Sequence, residues 1–170
     1  MGDDRDALQN NMGTFISELQ SQGVDAEFAL VDYEGTGADT FLAQDLTDDQ
    51  EQITDAIGNI GIFGGQEYAS DAILQSFDEV SFREDSKKVI VLITDEDDQS
   101  DASTRQSALN RIQSENALLV SISEPGDADD EPQTMAEDVD GEWAQLDSTN
   151  FDDIVRRIAG TISDAAGGGS

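Results

Sequence analysis

The sequence predicts an α/β fold: a three-layer, doubly wound, mostly parallel sheet with helices on both faces. Three observations carry this. Apolar runs of strand length, at 26–33, 89–94 and 117–123, alternate with stretches whose apolar residues recur at helical spacing. Two of those runs, VIVLIT and ALLVSIS, are continuous rather than alternating, the pattern of strands covered on both faces. The length, 170 residues, suits one domain with one core.

The elements follow in order. DRDALQNNMGTFISELQSQG (4–23) sets Leu8, Met12, Phe15, Ile16 and Leu19 on one helical face, with Gly23 as its stop. AEFALVDY (26–33) reads as a strand, and TFLAQ (40–44) as its partner across a Gly35–Gly37 turn. Thr47 and Gln50 fit a capping box opening a helix that carries Ile53, Ala56 and Ile57. After Gly64 and Gly65, EYASDAILQSFDEV (67–80) is helical. KKVIVLITD (87–95) is the strongest strand, expected at the centre of the sheet beside 117–123. Between them lies a helix, 101–116. EPGDADDEP (124–132) is an acidic loop, TMAEDVDG (134–141) a short helix, EWAQLD (142–147) an edge strand, and 148–163 a closing helix. The expected domain is 1–164, with 165–170 a flexible Gly-rich tail.

Composition removes several functions. Eight basic residues face 39 acidic ones, a formal net charge of −31. Such a surface repels nucleic acid and anionic lipid, and self-repulsion strains the compact state unless salt screens it. Many Asp, few Lys and modest apolar content resemble the proteins of salt-loving microbes. No apolar run reaches the roughly 18 residues of a membrane span. There is no Cys and no His, so disulfides, thiolate sites and imidazole chemistry are excluded.

The segment VIVLITDEDDQSD (89–101) ends an apolar run in Asp95, Glu96, Asp97, Asp98 and Asp101. In parallel sheets, ligands sit beyond the carboxyl ends of the strands, where Asp95 falls. Clustered carboxylates there suit a hard cation with oxygen ligands. The competing reading is solvated acids on an acidic protein, and it is the expected role of Asp97, Asp98 and Asp101. Asp95-x-Asp97-x-Gln99-x-Asp101 starts like a helix-loop-helix calcium loop but has Ser100 at the turn glycine and Gln106 at the closing glutamate.

A helix, then Gly64-Gly65-Gln66-Glu67, then Ile93-Thr94-Asp95 at a strand end together resemble the von Willebrand factor type A domain, over nearly the whole chain. VLITDED (91–97) is similar to the family's fourth-strand motif, whose Asp belongs to a metal-ion-dependent adhesion site. GGQEYASDAI (64–73) is similar to its second metal loop. The resemblance implies Asp95 and Glu67 as metal residues, with Gln66, Thr94, Asp97 and Asp98 around them. It implies Mg2+, or Mn2+ or Ca2+, as the ion. The family's first strand, central in the sheet and ending in Asp-x-Ser-x-Ser, has no counterpart in the pattern. Met1 stands where the residue after that motif would stand, so the resemblance implies a slot in the core and an incomplete metal shell, with the strand to come from elsewhere.

The implied function is a non-enzymatic adhesion or assembly module that binds an acidic group of a partner protein through the metal. No nucleic acid and no membrane insertion are expected. A metal-free scaffold is the alternative, and a metal-dependent phosphohydrolase a weaker one, since no Gly-rich phosphate loop is present. Location is open between the outside and the inside of a cell.

Overall fold

The computed structural model describes residues 2–33, 40–60, 67–125, 132–146 and 150–167. Their order is α1 (Gly2–Ser21), β1 (Phe28–Tyr33), β2 (Thr40–Thr47), α2 (Gln50–Gly58), α3 (Ala69–Glu79), β3 (Val89–Thr94), α4 (Ala102–Ser114), β4 (Leu118–Ser123), α5 (Pro132–Asp138), β5 (Glu142–Gln145) and α6 (Phe151–Gly167). The α/β architecture is the one expected, with three parallel strands between helical layers.

Strand β4 shows how the layers form. Val120 and Ile122 point into a core with Phe15, Leu19, Ile57, Phe151 and Ile158 from α1, α2 and α6. Leu119, one residue out of phase, points into the opposite core with Ile73, Leu109, Ile112 and Met135 from α3, α4 and α5. A strand's two-residue period distributes a continuous apolar run to both faces. Gly141 lets β5 approach: a Cβ there would collide with the Leu119 carbonyl oxygen. Gly23, at φ +79°, takes the left-handed conformation that ends α1.

The sheet is in two pieces. β1 and β2 pair antiparallel, and β3, β4 and β5 pair parallel in that order. β1 and β3 run in the same direction. Arg83, ahead of β3, pairs with Asp25 at 3.0 Å and Glu27 at 3.6 Å, ahead of β1. At the other end the Tyr33 hydroxyl donates to the Ile93 carbonyl at 2.9 Å. Between the two strands lies an apolar cavity of about 390 Å³, bordered by Phe15, Phe28, Leu30, Val91 and Ile93.

Four expectations change. β4, not β3, is the central strand of the parallel piece; β3 borders the cavity, and Val91 is 38% exposed. The continuous apolar run therefore marks a strand with apolar surroundings on both faces but an open edge. The cap of α2 is Asp49, which accepts from Glu51 N–H at 2.9 Å, while Thr47 Oγ1 accepts from Asp49 N–H at 3.1 Å. Asp49 outcompetes Thr47 because a carboxylate accepts more strongly at a helix amino end. α3 opens at Ala69, so Glu67 precedes the helix by two residues. α6 runs to Gly167, so residues 165–167 of the expected tail are helical; residues 168–170 and the 35–37 turn lie outside the described residues.

Candidate functional site

Two segments meet at the carboxyl end of β3. One is the approach to α3, residues 67–71; the other is the loop from Thr94 to Asp101. The Gln99 N–H donates to the Glu67 carbonyl at 2.8 Å and ties them together. Thr94 is the pivot. It is 1% exposed, its hydroxyl donates to Glu67 Oε2, and its Oγ1 accepts from the Glu96 N–H at 3.1 Å. One hydroxyl thus orients the glutamate and turns the chain out of the strand.

Glu67 is half-buried, and burial raises its pKa. The Thr94 hydroxyl opposes the shift, while the negative charges of Asp95 and Glu96 reinforce it. Among the described residues, no Lys or Arg pairs with Glu67. Asp95 is half-buried immediately beyond β3. The Tyr33 phenol stands behind them, pushed up by burial, then by the charge of Glu67. The end of the sheet therefore gathers negative charge in a partly dry setting, where repulsion is least screened.

Asp98 corrects the expectation of a solvated loop acid. It is 3% exposed. Its Oδ1 accepts from Ser70 N–H at 3.2 Å and from Ser100 N–H at 3.1 Å, and its Oδ2 from the Ser70 hydroxyl. Ser100 Oγ in turn donates to Asp71 at 2.7 Å. Nothing local in the sequence marks Ser70 or Asp71, and Ser100 stands out there only as the departure from the calcium-loop pattern. Their signal is the pairing of an Asp-x-Ser with a Ser-Asp at a helix start, but that pairing is visible only once the loops are side by side. Asp101 is not a free acid either: it caps α4, accepting from Ser103 N–H at 3.0 Å and Thr104 N–H at 2.9 Å. Asp97 is exposed, as expected. Gln66 lies outside the described residues.

The structure thus brings Glu67, Thr94 and Asp95 to one edge and assigns Asp98 to the joint beneath. Among the described residues, no three acidic side chains are grouped closely enough to hold a metal ion by themselves.

Comparisons with known proteins agree on the fold. Proximal thread matrix protein 1 from the mussel byssus superposes with a TM-score of 0.71 at 14% identity, over 94% of this chain and 42% of that one. A second structure of it, with a zinc-occupied MIDAS motif, gives 0.69 at 20% identity over 91% of this chain and 40% of that one. This chain therefore spans about two fifths of the matrix protein's length. An aerotolerance-related membrane protein from Bacteroides fragilis, solved with multiple mutations to serines, gives 0.68 at 14% identity over 92% and 88% of the two chains. The SpRpn10 VWA domain gives 0.68 at 13% identity, over 88% and 81%. No curated protein matches the sequence. The sequence pattern of the von Willebrand factor type A domain matches residues 3–157, and the chain belongs to that family.

Proposed function

We propose that this domain is a non-enzymatic protein-binding module that uses a divalent cation at the carboxyl edge of its sheet to bind an acidic group of a partner protein. The observation that carries the reading is the state of Glu67. It is a half-buried carboxylate oriented by the Thr94 hydroxyl, its pKa raised by burial and by its neighbours Asp95 and Glu96. A cation relieves that repulsion, and a group held this way is ready to ligate.

The donor set fits a hard ion. Every candidate ligand is oxygen, and the chain has no His or Cys to favour zinc. Mg2+ or Mn2+ keeps several waters and needs only one or two protein carboxylates. Glu67 and Asp95 would hold it, directly or through water. Thr94 orients Glu67, Asp98 fixes the loop, and Asp97 and Gln66 lie close by in sequence. The ion supplies positive charge to a partner's Asp or Glu. The zinc-occupied motif of the mussel protein supports a metal reading for a domain of this fold.

Calorimetric titration with Mg2+ and Mn2+ tests this. The parent should bind, Asp95→Asn should lose binding, and Glu67→Gln should weaken it. Equal binding by the parent and Asp95→Asn would overturn the site.

A further inference from the structure

We infer that the free edge of β2, with the groove between β2 and α2, is a docking surface for an extended basic segment of a partner protein, one that alternates Arg or Lys with apolar residues. The inference does not rest on the metal reading.

The edge is the first ground. Among the described residues β2 pairs with β1 only, and no backbone hydrogen bond joins its other edge to a further strand. The second half of β2 is closed locally. Asp45 Oδ1 accepts the Leu46 N–H at 2.8 Å and the Ser81 N–H at 3.0 Å, and the Gln44 side chain donates to the Asp45 carbonyl at 3.0 Å. The register with β1 also shifts on either side of Leu30, the partner of Gln44. From Thr40 to Leu42 the pairing is regular, opposite Tyr33, Asp32 and Val31. That stretch presents a regular strand edge, the template on which another strand adds.

The groove is the second ground. It has a volume of about 440 Å³ and lies between the β1–β2 face and α2. Asp32 and Phe41 are opposite partners in the ladder, so their side chains share one face. Asp32 is 7% exposed and forms the floor; Phe41 is 49% exposed and forms the rim beside the free edge. The far wall is α2, with Asp55 and Ala56. α2 turns Ile53 and Ile57 into the core, which leaves Asp55 exposed above the groove.

Charge and geometry select the occupant. Two carboxylates, and no Lys or Arg among the described residues, line the groove. A second copy of this chain would bring another charge of −31 to the same edge, so repulsion opposes pairing of the protein with itself. A small cation leaves the strand edge unfilled. An extended basic segment meets both demands. Its backbone pairs along residues 40–42, and every second side chain falls on the groove side. A residue beside Phe41 stands two strand spacings, about 10 Å, from the Asp32 backbone. Arg or Lys bridges that distance, its stem lying over the Phe41 ring and its charge directed toward Asp32 and Asp55. The intervening residues fall on the opposite face beside half-buried Leu42, where apolar side chains fit.

The test uses two labelled heptapeptides of one composition, four Arg and three Val, alternating in one and in two blocks in the other. Binding to the full chain is read by fluorescence anisotropy and amide exchange, with EDTA, in about 0.15 M KCl. The alternating peptide should bind about tenfold tighter than the block peptide, the net effect of one or two strand hydrogen bonds. It should slow exchange within residues 40–42 on the order of tenfold. Phe41→Ala should weaken binding about two- to fivefold, the loss of one exposed cation–π contact. Asp55→Asn should weaken it by up to about fivefold. Asp164→Asn, at an exposed acid of α6, should leave it unchanged. Equal affinity for the two peptides, or equal effects of Asp55→Asn and Asp164→Asn, would mean attraction by diffuse charge and would overturn the proposal. So would a dimer of the peptide-free chain that Phe41→Ala dissolves, because the edge would then take a second copy. EDTA removes divalent cations, so failure here is distinct from failure of the metal site.

Discussion

Asp98 holds the amino end of α3 from a different loop: its Oδ1 accepts the Ser70 N–H at 3.2 Å and its Oδ2 the Ser70 hydroxyl. Removing the carboxylate leaves a buried N–H and a buried hydroxyl without their acceptor. Asp98→Ala should destabilise the domain by about 2–4 kcal/mol, measured by urea unfolding. A change within 0.5 kcal/mol, the range of about ±0.5 for surface substitutions, would return Asp98 to the solvated loop.

Glu67 gives a pH dependence of defined sign. Its folded pKa is raised, chiefly by burial. The protonated form is favoured in the fold, so its contribution is fully present below the unfolded pKa and is lost as pH rises through the folded one. At pH 7 without metal the ionised carboxylate is therefore a cost. Glu67→Gln should raise the unfolding midpoint there, and the difference should close as pH falls through the carboxylate range. Mg2+ should narrow it at pH 7 by stabilising the parent more than the variant. A lower midpoint for Glu67→Gln in metal-free buffer at pH 7 would contradict this.

Asp101 gives the opposite sign. Hydrogen bonds from the Ser103 side chain and the Thr104 backbone lower its pKa. Its contribution is present above the unfolded pKa and lost as pH falls through the folded one. Asp101→Ala should loosen the first turn of α4, and Asp101→Ser should retain most of the cap. Amide exchange at Ser103 and Thr104 distinguishes them: equal rates in the two variants would mean that the cap does not hold the turn.

The net charge of −31 predicts a steep salt dependence. Screening length falls from roughly 10 Å at 0.1 M to 3 Å at 1 M salt. The thermal midpoint should rise across that range in KCl. A flat response would show that the nine ion pairs among the described residues already offset the repulsion.

The sequence by itself determined the class of fold, the order of the elements and the strand end where the acids gather. Period-two and period-3.6 patterns are local, so VIVLIT, ALLVSIS and the face of α1 could be read directly. Asp95 could be placed because a strand's carboxyl end is also local. The tertiary structure alone decided which acids are alike. Asp95, Asp97, Asp98 and Asp101 are equivalent in composition. Yet Asp98 is buried on Ser70, a partner 28 residues away, while Asp101 finds its partners two and three residues on. Among the described residues, only β4 is paired on both edges within the parallel piece, and β3 opens on a slot. Strand order is a long-range property: hydrophobicity says that a strand is covered, and only pairing says by what.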